Sequence, residues 1–141
     1  MPQPAGQPVL AMRAFFFSRM QSFKHAFAGW YYVLRTQRNA WIHALASVLV
    51  VLLAAWLGLG LRDWTELIIA VAMVWTAEFI NTALEAVVDL ASPQRHPLAK
   101  VGKDVGAAAV LIAAFAAALI GLLVLGPPLW AKLQGGFNGI R

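Results

Sequence analysis

Trp64-Thr-Glu-Leu-Ile-Ile-Ala-Val-Ala-Met-Val-Trp-Thr-Ala-Glu78-Phe-Ile-Asn81-Thr-Ala-Leu-Glu85-Ala-Val-Val-Asp89-Leu90 contains no Lys or Arg and is apolar enough to cross a membrane. Its second half nevertheless carries Glu78, Asn81, Glu85 and Asp89. At ~100° per residue, offsets of three, seven and eleven place Asn81, Glu85 and Asp89 within roughly 60° of Glu78, on one stripe of a helix. A carboxylate near a bilayer centre costs roughly 2.5 to 3.5 kcal/mol on insertion scales. Several on one stripe therefore predict a site lined by protein or water.

The flanking sequence extends the membrane reading. Of the 141 residues, 61% are hydrophobic and 12% charged, against roughly 25% charged in a soluble domain. Three apolar stretches, Trp41 to Leu61, Trp64 to about Glu85 and about Val105 to Leu125, each approach the ~20 residues that cross a ~30 Å hydrocarbon core. The expected fold class is all-α integral membrane: three transmembrane helices plus an N-terminal amphipathic surface helix. The expected organisation is a disordered N-terminus over 1–8, a surface helix over 9–36, a membrane domain over 37–126 and a tail over 127–141.

A net charge of +5 raises the question of nucleic acid, which the placement of the basic residues answers. Arg13, Arg19, Lys24, Arg35 and Arg38 precede the first span, and Arg95, Lys100 and Lys103 lie between the second and third. Arg62, Lys132 and Arg141 fall on the opposite side. This positive-inside pattern predicts a multi-pass protein of the inner or plasma membrane, with a cytoplasmic N-terminus and second loop and an external C-terminus. It leaves no basic groove for nucleic acid. The absence of Cys excludes disulfides and thiolate metal sites. No cleavable signal peptide is expected, since Phe15 to Phe17 is a short apolar run soon followed by Arg19 and Lys24.

Phe16, Met20, Phe23, Phe27, Trp30, Tyr31 and Leu34 recur at helical spacing among basic residues, the pattern of a helix lying on a membrane surface; a basic juxtamembrane anchor is the alternative. Arg62 and Asp63 are expected to form the short outer turn between the first two spans. Trp41, Trp56, Trp64 and Trp130 sit where indole rings anchor at interfaces. Ala91-Ser-Pro-Gln-Arg-His-Pro97 breaks the second span, and Pro97 suits the first turn of the next helix. On span three Gly102, Gly106, Ala109, Ala113, Ala117 and Gly121 predict a ridge of small residues for close helix packing. Gly126-Pro127-Pro128 is expected to end it, with a frayed tail from Gln134.

Glu78 lies roughly 10 Å deeper along its helix than Glu85, and Asp89 is near the cytoplasmic mouth. The deeper carboxylate bears the larger cost of carrying charge, the condition for a general acid or base. Glu85 and Asp89 suit a hard cation or structural hydrogen bonds. Lys100, Lys103 and Asp104 open span three beside this stripe. They either pair with it across two helices or hold the phosphates of a nucleotide whose magnesium sits on the carboxylates. An ion-pair network and an ion pathway remain the readings without catalysis. His96 is a solvated loop histidine or a phosphate contact; His43, within span one, reads as a hydrogen-bonded interior histidine. A P-loop and a kinase Gly-rich loop are both absent.

Glu78-Phe-Ile-Asn81-Thr-Ala-Leu-Glu85-Ala-Val-Val-Asp89, followed by His96-Pro-Leu-Ala-Lys100-Val-Gly-Lys103-Asp104-Val-Gly-Ala-Ala-Ala-Val110, resembles the signature of the small prokaryotic membrane lipid kinases, the diacylglycerol kinase and undecaprenol kinase family. The resemblance runs from about Ser22 to Leu122. Arg38-Asn39-Ala-Trp-Ile-His43 and the His-Pro-Leu-Ala-Lys run look more like the undecaprenol kinase branch. It implies a homotrimer with active sites between subunits, and a Mg2+-dependent transfer of the γ-phosphate of ATP to a membrane lipid alcohol. Undecaprenol is the first expectation and diacylglycerol the alternative.

By the same resemblance Glu78 is the general base and Glu85 a magnesium ligand. Asn81, Lys103 and Asp104 bind or orient the phosphates, Gln94, Arg95 and His96 lie along the nucleotide, and His25 is a weaker nucleotide contact. Asp89 and Lys100 support the site. One position departs from the family: Gln37 stands where it usually has a Glu that serves as second metal ligand. A carboxamide oxygen coordinates magnesium without adding charge. Two other functions compete, a transporter or proton-coupled channel using the stripe and a silent scaffold. The absence of internal repeats and broken spans counts against the first.

Overall fold

The computed structural model describes the backbone of residues 7–138 and the side chains of residue 12 and of residues 17–135. It is all-helical: α1 Gln7–Thr36, α2 Arg38–Leu57, α3 Leu61–Ala91 and α4 Pro97–Asn138. Two compact units are formed, Met1–Arg38 and Asn39–Arg141. Of the disorder expected over residues 1–8, residues 1–6 lie outside the described residues, as do the side chains of Arg13 and Phe16, while residues 7 and 8 are helical.

In the first unit, α1 begins at Gln7, slightly before the expected start at Val9. Phe17, Met20, Phe23, Phe27, Tyr31 and Tyr32 are all exposed. Arg35 donates to the Tyr31 hydroxyl at 2.8 Å with its guanidinium 5.8 Å from the ring centroid. Gln37 alone separates α1 from α2, and its backbone N–H donates to the Val33 carbonyl.

The second unit contains three helices long and apolar enough to cross a membrane. On α2 and α4, Ile42, Leu45, Leu49, Leu52, Leu111, Ile112, Phe115 and Leu122 remain exposed, as expected where lipid replaces water as solvent. Helices α3 and α4 pack closely along their length. A cluster of Ala54, Leu67 and Leu125, flanked by Leu53, Leu59 and Trp64, ties all three spans together at the α2–α3 turn.

That turn differs from expectation. Helix α2 ends at Leu57, four residues before the predicted end of the span, and Arg62 and Asp63 lie in the first turn of α3. The cause is Gly58, in the left-handed region at φ 70°. Its N–H donates to the Ala55 carbonyl and that of Leu59 to Ala54, the paired bonds of a Schellman ending. Asp63 then accepts the Gly60 N–H at 3.2 Å, satisfying a donor at the start of α3.

The far end of α4 also departs from the sequence reading. The helix passes through Pro127 and Pro128 to Asn138, although each proline removes a backbone donor. One turn beyond the prolines a long-range contact holds the helix: Lys132 Nζ donates to the Trp56 carbonyl at 2.6 Å and lies 4.2 Å from the Trp56 ring centroid. A cation is favoured at that site both by the α2 C-terminus and by the indole face.

The small-residue ridge is partly as expected. Gly106 and Ala113 are buried, but Ala109 is exposed and Val110 is buried in its place, because the buried line on a 3.6-residue helix alternates steps of three and four. The closest approach is at Gly106, where an added Cβ would collide with Asn81 Oδ1 and lie 3.2 Å from Leu84 Cδ2. At Gly121 an added Cβ meets nothing within 4 Å. Gly106→Ala should therefore lose about 1–3 kcal/mol of stability while Gly121→Ala changes little. Unfolding of the two purified variants in the same detergent checks this, and equal stabilities would contradict the tight crossing.

Candidate active site

The stripe on α3 is graded in burial as its spacing predicts. Glu78 is 2% exposed and is the largest fully buried side chain among the described residues. Asn81 and Thr82 are buried, Glu85 is half-buried and Asp89 is exposed. The Thr82 hydroxyl donates to the Glu78 carbonyl at 2.9 Å, a local bond that leaves the Glu78 carboxylate to other partners.

Asn81 joins the buried and exposed ends. Its Nδ2 donates to Glu85 Oε1 at 3.1 Å, which orients both side chains. Its Oδ1 is buried, faces Gly106 across the helix crossing, and has no hydrogen-bond partner. An orphaned buried acceptor costs about 1–3 kcal/mol, a cost borne where α4 packs closest to α3. Glu85, half-buried on the same stripe, is the hard carboxylate oxygen donor that magnesium prefers. Among the described residues, no group of three His, Cys, Asp and Glu side chains converges.

Toward the α3–α4 loop the polarity changes sign. Lys103 Nζ pairs with Asp89 Oδ1 across the two helices, and Lys100 lies 3.8 Å from Asp104 along α4. Both pairs are largely solvent-exposed and contribute little stability. The loop ends with His96 at the start of α4: its Nδ1 accepts the Leu98 N–H at 3.2 Å, so the solvated histidine of the sequence reading has a helix-capping role. Pro97 is the first residue of α4, as expected.

Asp89, Gln94, Arg95, His96, Lys100, Lys103 and Asp104 all line one open hollow of about 690 Å³, within the ~300–1,000 Å³ of ligand-sized clefts. The fold thus brings the phosphate and nucleotide candidates together, with the Glu85–Asn81 pair on the same α3 stripe. His25 and Gln37 belong to the first unit.

One residue near the stripe was not anticipated as part of the site. His43 of α2 places Nε2 3.8 Å from Glu78 Oε2, so its expected role as a hydrogen-bonded interior histidine is not met at that nitrogen. The sequence carries a signal for it: apart from Arg38 and Asn39 at its start, the polar side chains of α2 are His43 and Ser47, one turn apart on a single face. Both line an otherwise apolar groove of about 620 Å³ between α2, α3 and α4.

Fold and site together define a multi-pass helical membrane protein whose buried carboxylate leads, along one helix face, to a hollow with paired charges. Comparison with known proteins gives the family. Residues 24–125 match the model of the prokaryotic diacylglycerol kinases, and the chain belongs to that family. It is 45% identical over 109 residues to a diacylglycerol kinase of Synechocystis, covering 77% of this chain and 62% of that protein. It is 37% identical over 109 residues to the undecaprenol kinase of Bacillus subtilis, covering 77% and 89%. Against the diacylglycerol kinase of Escherichia coli it is 37% identical over 95 residues, covering 62% and 78%.

Proposed function

We infer that the chain is a lipid kinase that transfers the γ-phosphate of ATP to the hydroxyl of a membrane lipid alcohol, with undecaprenol as the favoured acceptor. One observation carries this reading: a fully buried carboxylate, Glu78, on the same helix face as a half-buried carboxylate and the mouth of a charged hollow. A structural ion-pair network needs no carboxylate at the buried end. Undecaprenol is favoured by the Arg38-Asn39-Ala-Trp-Ile-His43 segment, and the related kinases include both undecaprenol and diacylglycerol kinases.

In this reading Glu78 accepts the proton of the lipid hydroxyl as its oxygen attacks the γ-phosphorus. The apolar surroundings exclude water from that end, so the hydroxyl competes with little else. Asn81, Lys103 and Asp104 bind or orient the phosphates, with Gln94, Arg95 and His96 along the nucleotide. Glu85 supplies an oxygen ligand to magnesium, and Gln37 is the proposed further ligand. Magnesium, when bound with ATP, neutralises charge on the transferring phosphoryl group. The positively charged flanks of the spans favour an orientation with the hollow on the cytoplasmic side, where ATP is available. The exposed aromatic face of α1 fits a helix lying on the membrane. By family likeness the protein assembles as a homotrimer.

Gln37 provides a test of the metal assignment. Gln37→Glu adds a hard anionic oxygen and should lower the magnesium concentration for half-maximal activity by about tenfold, since roughly 1.4 kcal/mol of added affinity is one decade. Titration of activity against magnesium at fixed ATP checks it. An unchanged midpoint removes Gln37 from the ligand set. The acceptor is tested by assaying purified protein with undecaprenol and diacylglycerol side by side; faster transfer to diacylglycerol would reverse the assignment.

A further inference from the structure

We propose that His43 is the positioning residue for Glu78: its Nε2–H holds Oε2 of the carboxylate and leaves Oε1 to take the proton of the lipid hydroxyl. The inference rests on the kinase reading of Glu78. Its geometric basis is the approach of His43 Nε2 to within 3.8 Å of Glu78 Oε2. That nitrogen is buried and has no hydrogen-bond partner, and the carboxylate beside it is 2% exposed. A shift of about 1 Å brings the two atoms to hydrogen-bonding distance, and catalytic hydrogen bonds are commonly long until substrate is bound.

The register that creates this pair is set by a second bond one turn away. Trp75 Nε1 of α3 donates to Ser47 Oγ of α2 at 3.2 Å, and the Ser47 hydroxyl donates to the His43 carbonyl at 2.7 Å. Trp75 is itself buried and packs at 6.0 Å against Phe79. The antiparallel helices α2 and α3 therefore carry two rungs, Ser47 to Trp75 and His43 to Glu78. The first is an ordinary structural bond that fixes the distance of the second.

The proton balance is simple. The tautomer with its proton on Nε2 donates to Oε2 while Glu78 is ionised. When the hydroxyl proton moves to Oε1, Oε2 becomes the carbonyl oxygen of a neutral acid and still accepts from Nε2–H. His43 keeps its own proton throughout. Its contribution is to select the receiving oxygen and hold the carboxyl plane, so it acts through Glu78.

The test uses the full chain in detergent micelles with two substitutions. His43→Leu removes the donor, and His43→Gln returns an Nε2–H at similar reach. His43→Leu should lower kcat about 10²-fold, as expected for a misplaced reacting group, with KM for MgATP unchanged. His43→Gln should recover most of that loss. A kcat equal to wild type in His43→Leu, or a Gln variant no better than Leu, overturns the proposal. A readout independent of activity keeps its failure distinct from failure of the kinase reading: the 15N resonance of His43 Nε2 should shift in Glu78→Gln. A resonance unmoved by that substitution rejects the pair even if the chain phosphorylates lipid. A shift in a chain that phosphorylates no lipid rejects the kinase reading, and with it the catalytic role assigned here.

Discussion

Glu78→Gln should reduce phosphate transfer by about 10²–10⁴-fold, the usual contribution of a positioned general base, while the protein remains folded. The substitution nearly conserves volume, and the side chain is buried in a site with His43 at 3.8 Å. An amide there removes both the proton acceptor and a buried charge. If Glu78 were a structural ion-pair member, its loss would leave the imidazole beside it without a carboxylate and would appear mainly as lower stability. If it were the base, stability would hold or rise, because Gln keeps a side-chain oxygen toward His43 while the desolvation cost of a buried carboxylate is removed. Melting temperature and kcat measured on the same preparation separate these outcomes. A stable variant with wild-type kcat would remove Glu78 from catalysis.

Lys103→Met has the second largest expected effect, a loss of about 10²–10³-fold in kcat, comparable to deletion of one charge-stabilising donor. Lys103 pairs with Asp89, and that pairing alone is the competing explanation for its presence. The pair is substantially exposed, so it contributes at most about 1 kcal/mol. Asp89→Asn is therefore the control. Its activity should stay within roughly threefold of wild type, since an exposed ion pair is weak. Equal losses in Lys103→Met and Asp89→Asn would show that the lysine serves the pair and has no role toward phosphate.

Much of this site is legible in the sequence because it lies within single helices. The spacing of Glu78, Asn81, Glu85 and Asp89 alone predicts their common face, and the graded burial follows from position along the span. Pro97 marks the start of α4 by its fixed φ and missing donor. The differences arise where distant residues decide the outcome. Hydropathy carries the first span to Leu61, but Gly58 turns the chain left-handed and ends the helix at Leu57. Pro127 and Pro128 predict a stop, yet Lys132 is held by Trp56, 76 residues away in sequence. His43 stands out in sequence only as a polar residue of an apolar span, and the packing of α3 decides that Glu78 lies beside it.

The family resemblance assigns chemical roles that spacing leaves open, and the geometry constrains them unevenly. The Asn81–Glu85 bond and the hollow around Lys103, Asp104 and the α3–α4 loop are local to the second unit. Gln37 and His25 depend on the first unit, so their roles rest on chemistry and likeness to relatives. The collision that bars a Cβ at Gly106 links the two kinds of information. A glycine there lets α4 approach Asn81, which in turn holds Glu85.

The most direct measurement is the transfer of γ-labelled phosphate from magnesium-ATP to undecaprenol by the purified full chain in a bilayer, with Glu78→Gln assayed beside it. Label is expected in the polyprenyl phosphate fraction with the wild type and at least a hundredfold less with the variant. No label in any lipid alcohol, or equal label from both proteins, would contradict the account.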